Sequence, residues 1–352
     1  MWGCFIIFVV MKRNYLTPAR EQWLERHPEL SPTGSMLRRC AWHDYCSPCI
    51  YMLTLVVQDR KPLLGELCSP DDNHSIAWVK KSPLGMEVKR AWNNIPNHYP
   101  QIKLLSLCIM PDHIHGILQV KERLPRHLGH VVNGFKKGCN DALRGGVLYS
   151  EAVPRTTQRH PCPVPGIHLW QQGYHDRILS HEGQLTTLFR YLDDNPRRLW
   201  LKRHRPEYFS IIKGIDIAGA HYNAMGNIDI MAKPFKCAVQ CSRSLTDAQI
   251  DETCIRFLTE AAAGTVLVSP CISPGEKTVI AMAMQLGYPV IVLVENGFNT
   301  MGKPSQRFID ACYDGNALFV APPERHPQSE KITREQCHQL NALAAAIAAV
   351  SG

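Results

Sequence analysis

Two strand-type runs stand almost back to back in this chain. KLLSLCIM (103–110) and HIHGILQV (113–120) are parted by Pro111 and Asp112, and MPD (110–112) reads as a short break or bulge between them. Side chains alternate along a strand. Ile114, Leu118 and Val120 therefore share one face, while His113, His115, Ile117 and Gln119 share the other. If the first set packs under helices, the second presents two imidazoles roughly 7 Å apart at Cα on the opposite face. That spacing suits one metal ion held from a sheet face. A structural or solvent-facing role for each histidine is the plain alternative.

The surrounding pattern places this pair in an α+β domain. IYMLTLVVQ (50–58) is a strand by its β-branched and aromatic content, LGMEVKRAWNNIP (84–96) a helix closed by proline, and HLGHVVNGFKKGCNDAL (127–143) a second helix. Residues 144–168 are rich in Gly, Pro and Thr and read as a loop. LWQQGYHDRIL (169–179) reads as a strand and EGQLTTLFRYLDDN (182–195) as a helix stopped by Pro196. Strand, helix, strand, strand, helix, strand, helix predicts a ferredoxin-like antiparallel sheet with helices on one face, the first two helices being the crossovers of a split βαβ.

After about residue 210 the texture changes. GTVLVSP (264–270) and YPVIVLVEN (288–296) are continuous apolar runs, as parallel strands covered on both faces require, with a helix EKTVIAMAMQLG (276–287) between them. ALFVAPP (317–323) is a third candidate strand. This layout predicts a smaller Rossmann-like α/β domain. The expected division is an irregular segment 1–44, a first domain 45–205, and a second 211–352.

Charge follows that division. Of a formal net charge of +8, residues 1–210 carry 28 Lys and Arg against 18 Asp and Glu, whereas residues 211–352 carry 11 against 13. The basic excess points to a polyanionic partner for the first domain alone. The fourteen cysteines show no repeating spacing and read as reduced cytosolic thiols, which places the chain in the cytoplasm. CSPC (46–49), with Cys40 and His43 nearby, lacks a second pair at zinc-finger spacing. The opening MWGCFIIFVV is apolar over about half a membrane span, with its basic residues after rather than before it. Met11 is therefore the expected natural start, and no membrane partner is expected.

The helix at 182–195 carries a second chemical pair. Leu185, Leu188, Phe189 and Leu192 form its apolar stripe, and Tyr191 and Asn195, four apart, are neighbours on one flank. Beside a phosphate polarised by a cation, a tyrosine hydroxyl is a workable nucleophile, and an asparagine could offer its amide oxygen to the same ion. Otherwise Tyr191 lies at a core edge and Asn195 caps the helix.

Taken together, MPDHIHGIL, LG…FK (Leu128, Gly129, Phe135, Lys136), WQQGYHDRIL and YLDDNP resemble, in order and over roughly residues 45–202, the HUH single-tyrosine transposases. The nearer branch is the REP-associated tyrosine transposases. The resemblance implies His113 and His115 as the metal-binding pair and Asn195 as third ligand, with Mg²⁺ or Mn²⁺ as the ion. It implies Tyr191 as the nucleophile that cleaves single-stranded DNA, leaving a 5′-phosphotyrosine and a free 3′-OH, with Tyr174 as a rival. It also implies hairpin or single-stranded DNA as partner, DNA transposition as the process, and a dimer in part of the family. A domesticated, non-catalytic hairpin-binding protein is the competing reading, and a metallohydrolase using Asp112 with the histidines is a third.

Lys136, Lys137 and Arg144, and the run Arg197, Arg198, Lys202, Arg203 and Arg205, are candidate phosphate contacts. Trp92 and Trp170 are candidates for base stacking, with core packing as the alternative. In the second domain, SPCISPGEK (269–277) passes from strand to helix, with Ser273 as N-cap and Ser273 and Gly275 as a candidate phosphate loop. It is neither a GxGxxG nor a Walker A sequence.

Overall fold

The computed structural model describes residues 39–40, 43–70, 76–142, 168–298, 305–323 and 332–349. The apolar opening (1–10), the polar segment that follows it, the loop 144–167 and Arg144 lie outside the described residues. The chain divides into two compact units, one within Lys12–Trp200 and one within Leu201–Gly352.

In the first unit, strands β1 (Cys49–Val56), β4 (Ile102–Ile109), β5 (His113–Val120) and β6 (His175–Leu179) form a sheet of order β4-β5-β1-β6, antiparallel throughout. Two interleaved βαβ crossovers produce that order. One runs from β1 through helix α1 (Pro83–Asn93) to β4, the other from β5 through helix α2 (Leu128–Ala142) to β6. A two-stranded hairpin, β2 (Gly65–Cys68) with β3 (Trp78–Lys81), is inserted before α1. The MPD segment is a chain reversal rather than a bulge. The Met110 N–H donates to the His113 carbonyl at 2.8 Å, so β4 and β5 are a tight hairpin.

Local chemistry explains the crossovers. Ser82 caps α1 by accepting from the Gly85 N–H, Pro83 supplies a preset φ at the first turn, and Leu84, Val88 and Trp92 fall on one stripe. Leu128, Val131, Val132, Phe135 and Cys139 do the same for α2. These stripes bury Tyr51, Leu53, Leu55, Ile114, Leu118 and Val120 from the sheet.

The third helix, α3 (Gln184–His204), departs from expectation twice. It does not stop at Pro196 but continues through it to His204. Proline removes the N–H that would bond the Leu192 carbonyl, and residues on both sides of it, Leu188, Leu192, Trp200 and Leu201, are buried. Nor does α3 join the other helices on one face. Its Leu188 and Leu192 pack on Met52 and Ile117, the face that carries the histidines. Ile117 and Met52 are apolar on that side, so the side needed a cover of its own.

The second unit is a six-stranded sheet of order β7-β8-β12-β11-β10-β9. Strands β9 (Lys236–Ala238), β10 (Val266–Ser269), β11 (Val290–Leu293) and β12 (Ala317–Ala321) are parallel. Helices α4 (Asp247–Ala262), α5 (Pro274–Gln285) and α6 (Gln306–Tyr313) connect them. Helix α7 (Arg334–Ala349) packs Leu343, Ala344 and Ile347 on Val266, Val268, Ile291 and Leu293, while Phe308 of α6 stacks on Phe319 from the other face. The hairpin β7 (Ile212–Ile217) and β8 (Ala220–Gly226) extends the sheet antiparallel to β12.

Candidate functional site

His113 and His115 project from the same face of β5, their ring centroids 4.8 Å apart. Each has its Nδ1 engaged. Asp112 Oδ1 lies 2.6 Å from His113 Nδ1, and Thr54 Oγ1 lies 2.7 Å from His115 Nδ1 across the β1–β5 pairing. With Nδ1 so fixed, Nε2 is the nitrogen each ring can turn toward a ligand. Arg60 grips the other oxygen of Asp112 at 3.0 Å. The His113 hydrogen bond first, and the Arg60 guanidinium with it, hold the Asp112 carboxyl down to about 2 against the opposing effect of burial.

Helix α3 lays Tyr191 against this pair, its ring centroid 5.8 Å from that of His115. Burial pushes the phenol up to about 12, while Arg198 and the Asn195 amide pull the other way by favouring the phenolate. The Arg198 guanidinium sits over the Tyr191 ring at 5.4 Å and is itself held by Asp194 at 2.6 Å. Asn195 lies one turn beyond Tyr191 and is buried, and its Nδ2 is without a hydrogen-bond partner of good geometry. Because α3 continues through Pro196, the Tyr191–Asn195 neighbour relation is an ordinary helical one.

This donor set fits a divalent cation. Two imidazoles whose Nδ1 atoms are already engaged, and the oxygen of a buried amide, are groups such an ion uses. Among the described residues, no group of three His, Cys, Asp or Glu side chains is arranged to hold a metal. A cation here would thus draw on the Asn195 amide oxygen as well as the histidines. Asp112 is oriented toward His113 and Arg60, which is not the placement a metallohydrolase ligand would need.

Other sequence candidates fall elsewhere. Tyr174 lies in the opposite core with Arg39 over its ring at 3.5 Å, so the sheet separates it from the histidines. Lys136 points inward and donates to the carbonyls of Gln171 and Gly173, with burial lowering its amine to about 8. Arg197 and Arg198 are ion-paired to Asp194, with side chains only 13% and 12% exposed, so they are not freely offered to phosphate. Lys137, Lys202 and Arg203 are exposed. Trp92 and Trp170 are core residues. His43 is bonded to Tyr51 at 2.7 Å rather than gathered with the nearby cysteines.

Ser273 is the N-cap of α5, as expected, but the loop amides already have an anion. The buried Glu276 carboxylate accepts from the N–H groups of Ile272 at 2.7 Å, Cys241 at 3.2 Å and Ser273 at 3.3 Å. Gly275 permits close packing: a Cβ there would lie 3.1 Å from that of Cys241. Ser273 and Gly275 therefore serve a carboxylate-closed helix start rather than an open phosphate loop.

Thr54, Arg60 and Cys108 carry no motif and were not anticipated. Strand pairing alone sets Thr54 and Cys108 on either side of His115. A polar Thr54 inside the apolar run YMLTLVV is the one signal that could have pointed to it.

No protein-family model matches the chain. An uncharacterized protein of Haemophilus influenzae is 25% identical over 164 residues, covering 45% of this chain and 86% of that protein. Among solved structures, a REP-associated tyrosine transposase bound to a REP hairpin aligns with 44% of this chain and 70% of its own, at 12% identity and a TM-score of 0.30. A Deinococcus radiodurans protein with a provisional transposase name aligns with 43% of this chain and 94% of its own, at 16% identity and a TM-score of 0.26. Scores of that size carry no argument about fold or function. Among the described residues, no helix is long and apolar enough to cross a membrane.

Proposed function

We propose that the first unit is a metal-dependent single-strand DNA transesterase of the HUH transposase type, with Tyr191 as its nucleophile. The observation that carries the reading is convergence. Residues from β5 and α3, 76 positions apart between His115 and Tyr191, meet as two imidazoles, a phenol and a buried amide. A hydrophobic core has no use for that set, and a phosphodiester does.

In this reading the Tyr191 oxygen attacks phosphorus in line with the 3′ oxygen. The Oη–P bond forms as the P–O3′ bond breaks, the phenol proton passes to solvent, and the 3′ oxygen takes up a proton. The product is a 5′-phosphotyrosine and a free 3′-OH, and because the ester bond is conserved the step can run backwards to rejoin strands. Arg198 and Asn195 favour the phenolate that attacks. A divalent cation, Mg²⁺ or Mn²⁺, when held by His113, His115 and Asn195, would neutralise charge on the phosphodiester. In the first unit, the exposed Lys137 suits the flanking backbone of a hairpin or single strand.

The test incubates the full chain with labelled single-stranded oligonucleotides from the DNA flanking its gene, with Mg²⁺ or Mn²⁺, and resolves the mixture on a denaturing gel. A protein–DNA adduct in wild type and none in Tyr191→Phe is the expected result. Binding without adduct, across both metals and several hairpins, would replace this reading with a non-catalytic hairpin-binding one.

A further inference from the structure

Just after β1, Asp59 and Arg60 have φ of +57° and +53°. Among the described residues this is the one place where two consecutive non-glycine residues occupy the left-handed region. Side chains disfavour that conformation, and it persists only where the surroundings over-determine it. Here they do. The Val57 N–H donates to the Asp112 carbonyl at 2.8 Å, the Gln58 N–H to the Leu169 carbonyl at 2.8 Å, and the Leu64 N–H to the Pro111 carbonyl at 3.0 Å. The Val57 and Leu64 bonds tie the two flanks of the strained segment to the β4–β5 turn that carries Asp112 and leads into His113, and the Gln58 bond ties it to the chain at Leu169.

What the segment delivers is the Arg60 guanidinium, 3.0 Å from Asp112 Oδ2, while Oδ1 of the same carboxylate holds His113 Nδ1 at 2.6 Å. The Arg60 side chain is 65% exposed, and an ion pair so exposed adds little to stability. The strain is therefore not explained by the pair's contribution to folding. Its effect is geometric: one oxygen to each partner leaves Asp112 no freedom to rotate.

We propose that Arg60 is a positioning residue, acting through Asp112 to hold the His113 ring with Nε2 directed at the site. This rests on the two-histidine metal reading above. Partners that orient a ligand imidazole typically govern metal affinity by about 10- to 100-fold. Arg60 touches no reacting atom in this scheme; the chain of contact is guanidinium, carboxylate, imidazole.

The experiment titrates Mn²⁺ into the full chain by calorimetry and records thermal melts for wild type, Arg60→Gly, Arg60→Lys, Asp112→Ala and the double variant Arg60→Gly/Asp112→Ala. Glycine suits the +53° backbone, so Arg60→Gly should melt at or above wild type while binding Mn²⁺ about tenfold more weakly. Arg60→Lys should recover part of that loss. The double variant should be no weaker than Asp112→Ala alone, because the two residues act in series. Wild-type affinity in Arg60→Gly, independent additive losses in the double variant, or a melt of Arg60→Gly well below wild type would each overturn the assignment. Wild type that binds no Mn²⁺ would overturn the metal reading itself, and this inference with it.

Discussion

Trp92 fills the space that a side chain at position 116 would need: a Cβ on Gly116 would lie 2.2 Å from Trp92 Cη2. The glycine of HIHG is thus a packing residue on the face opposite the histidines, letting α1 close on β5. Gly116→Ala should destabilise the first unit by about 3 kcal/mol or more, since overpacking at such a distance must displace an indole that is 1% exposed. Urea denaturation measures the loss, and Trp92→Phe in the same chain should recover part of it. Unchanged stability of Gly116→Ala would contradict the packing.

Thr54 and His115 form the second anchored imidazole. Thr54→Val keeps the shape of the side chain and removes the hydroxyl 2.7 Å from Nδ1. We expect a stability change of only about 1 kcal/mol, with adduct formation and Mn²⁺ affinity each down roughly tenfold. Equal Mn²⁺ affinity in variant and wild type would show that Thr54 does not orient the ring.

Lys136 gives a signed pH effect. Its amine falls from 10.5 to about 8 in the folded chain, burial being the main cause and Arg39 the second. Between those values the unfolded chain holds the proton and the folded chain does not, so rising pH favours folding through this group. The gain begins as pH passes 8 and is complete near 10.5. Relative to Lys136→Met, wild type should therefore gain in urea midpoint from pH 7.5 to 10. Parallel midpoints across that window would show that the amine is not depressed.

Glu276 closes the start of α5 from within. Glu276→Ala would leave the Cys241, Ile272 and Ser273 amides without their anion and should cost about 3 kcal/mol. The emptied loop would then resemble an anion site. Millimolar inorganic phosphate should raise the melting temperature of the variant and leave wild type unmoved. A rise in wild type instead would mean that the loop takes phosphate with Glu276 in place.

How much of this was legible varies by element. The face assignment of His113 and His115 followed from strand alternation, which needs no partner to be known. Tyr191 beside Asn195 followed from helical spacing, though the end of the helix did not. Pro196 is a stop signal in an isolated segment, and the apolar residues on both sides of it override one missing hydrogen bond. The charged residues were read least well. Arg197, Arg198 and Lys136 look like phosphate ligands in a linear sequence, yet Asp194 and the Gln171 and Gly173 carbonyls claim them. The Ser273 loop looks open in a linear sequence for the same reason, since Glu276 is both part of the motif and its occupant.

The sequence by itself determined the local patterns: two strands flanking Pro111 and Asp112, three amphipathic helices, and buried parallel strands in the second unit. These are local properties, set by where apolar side chains recur along the chain. Only the tertiary structure decided that α3 covers the histidine face, that Tyr191 rather than Tyr174 meets the imidazoles, and that Asp112, Arg60 and Thr54 hold those rings. Those relations join residues tens of positions apart. They depend on which sheet face each helix closes, and that is fixed by the packing of both partners together.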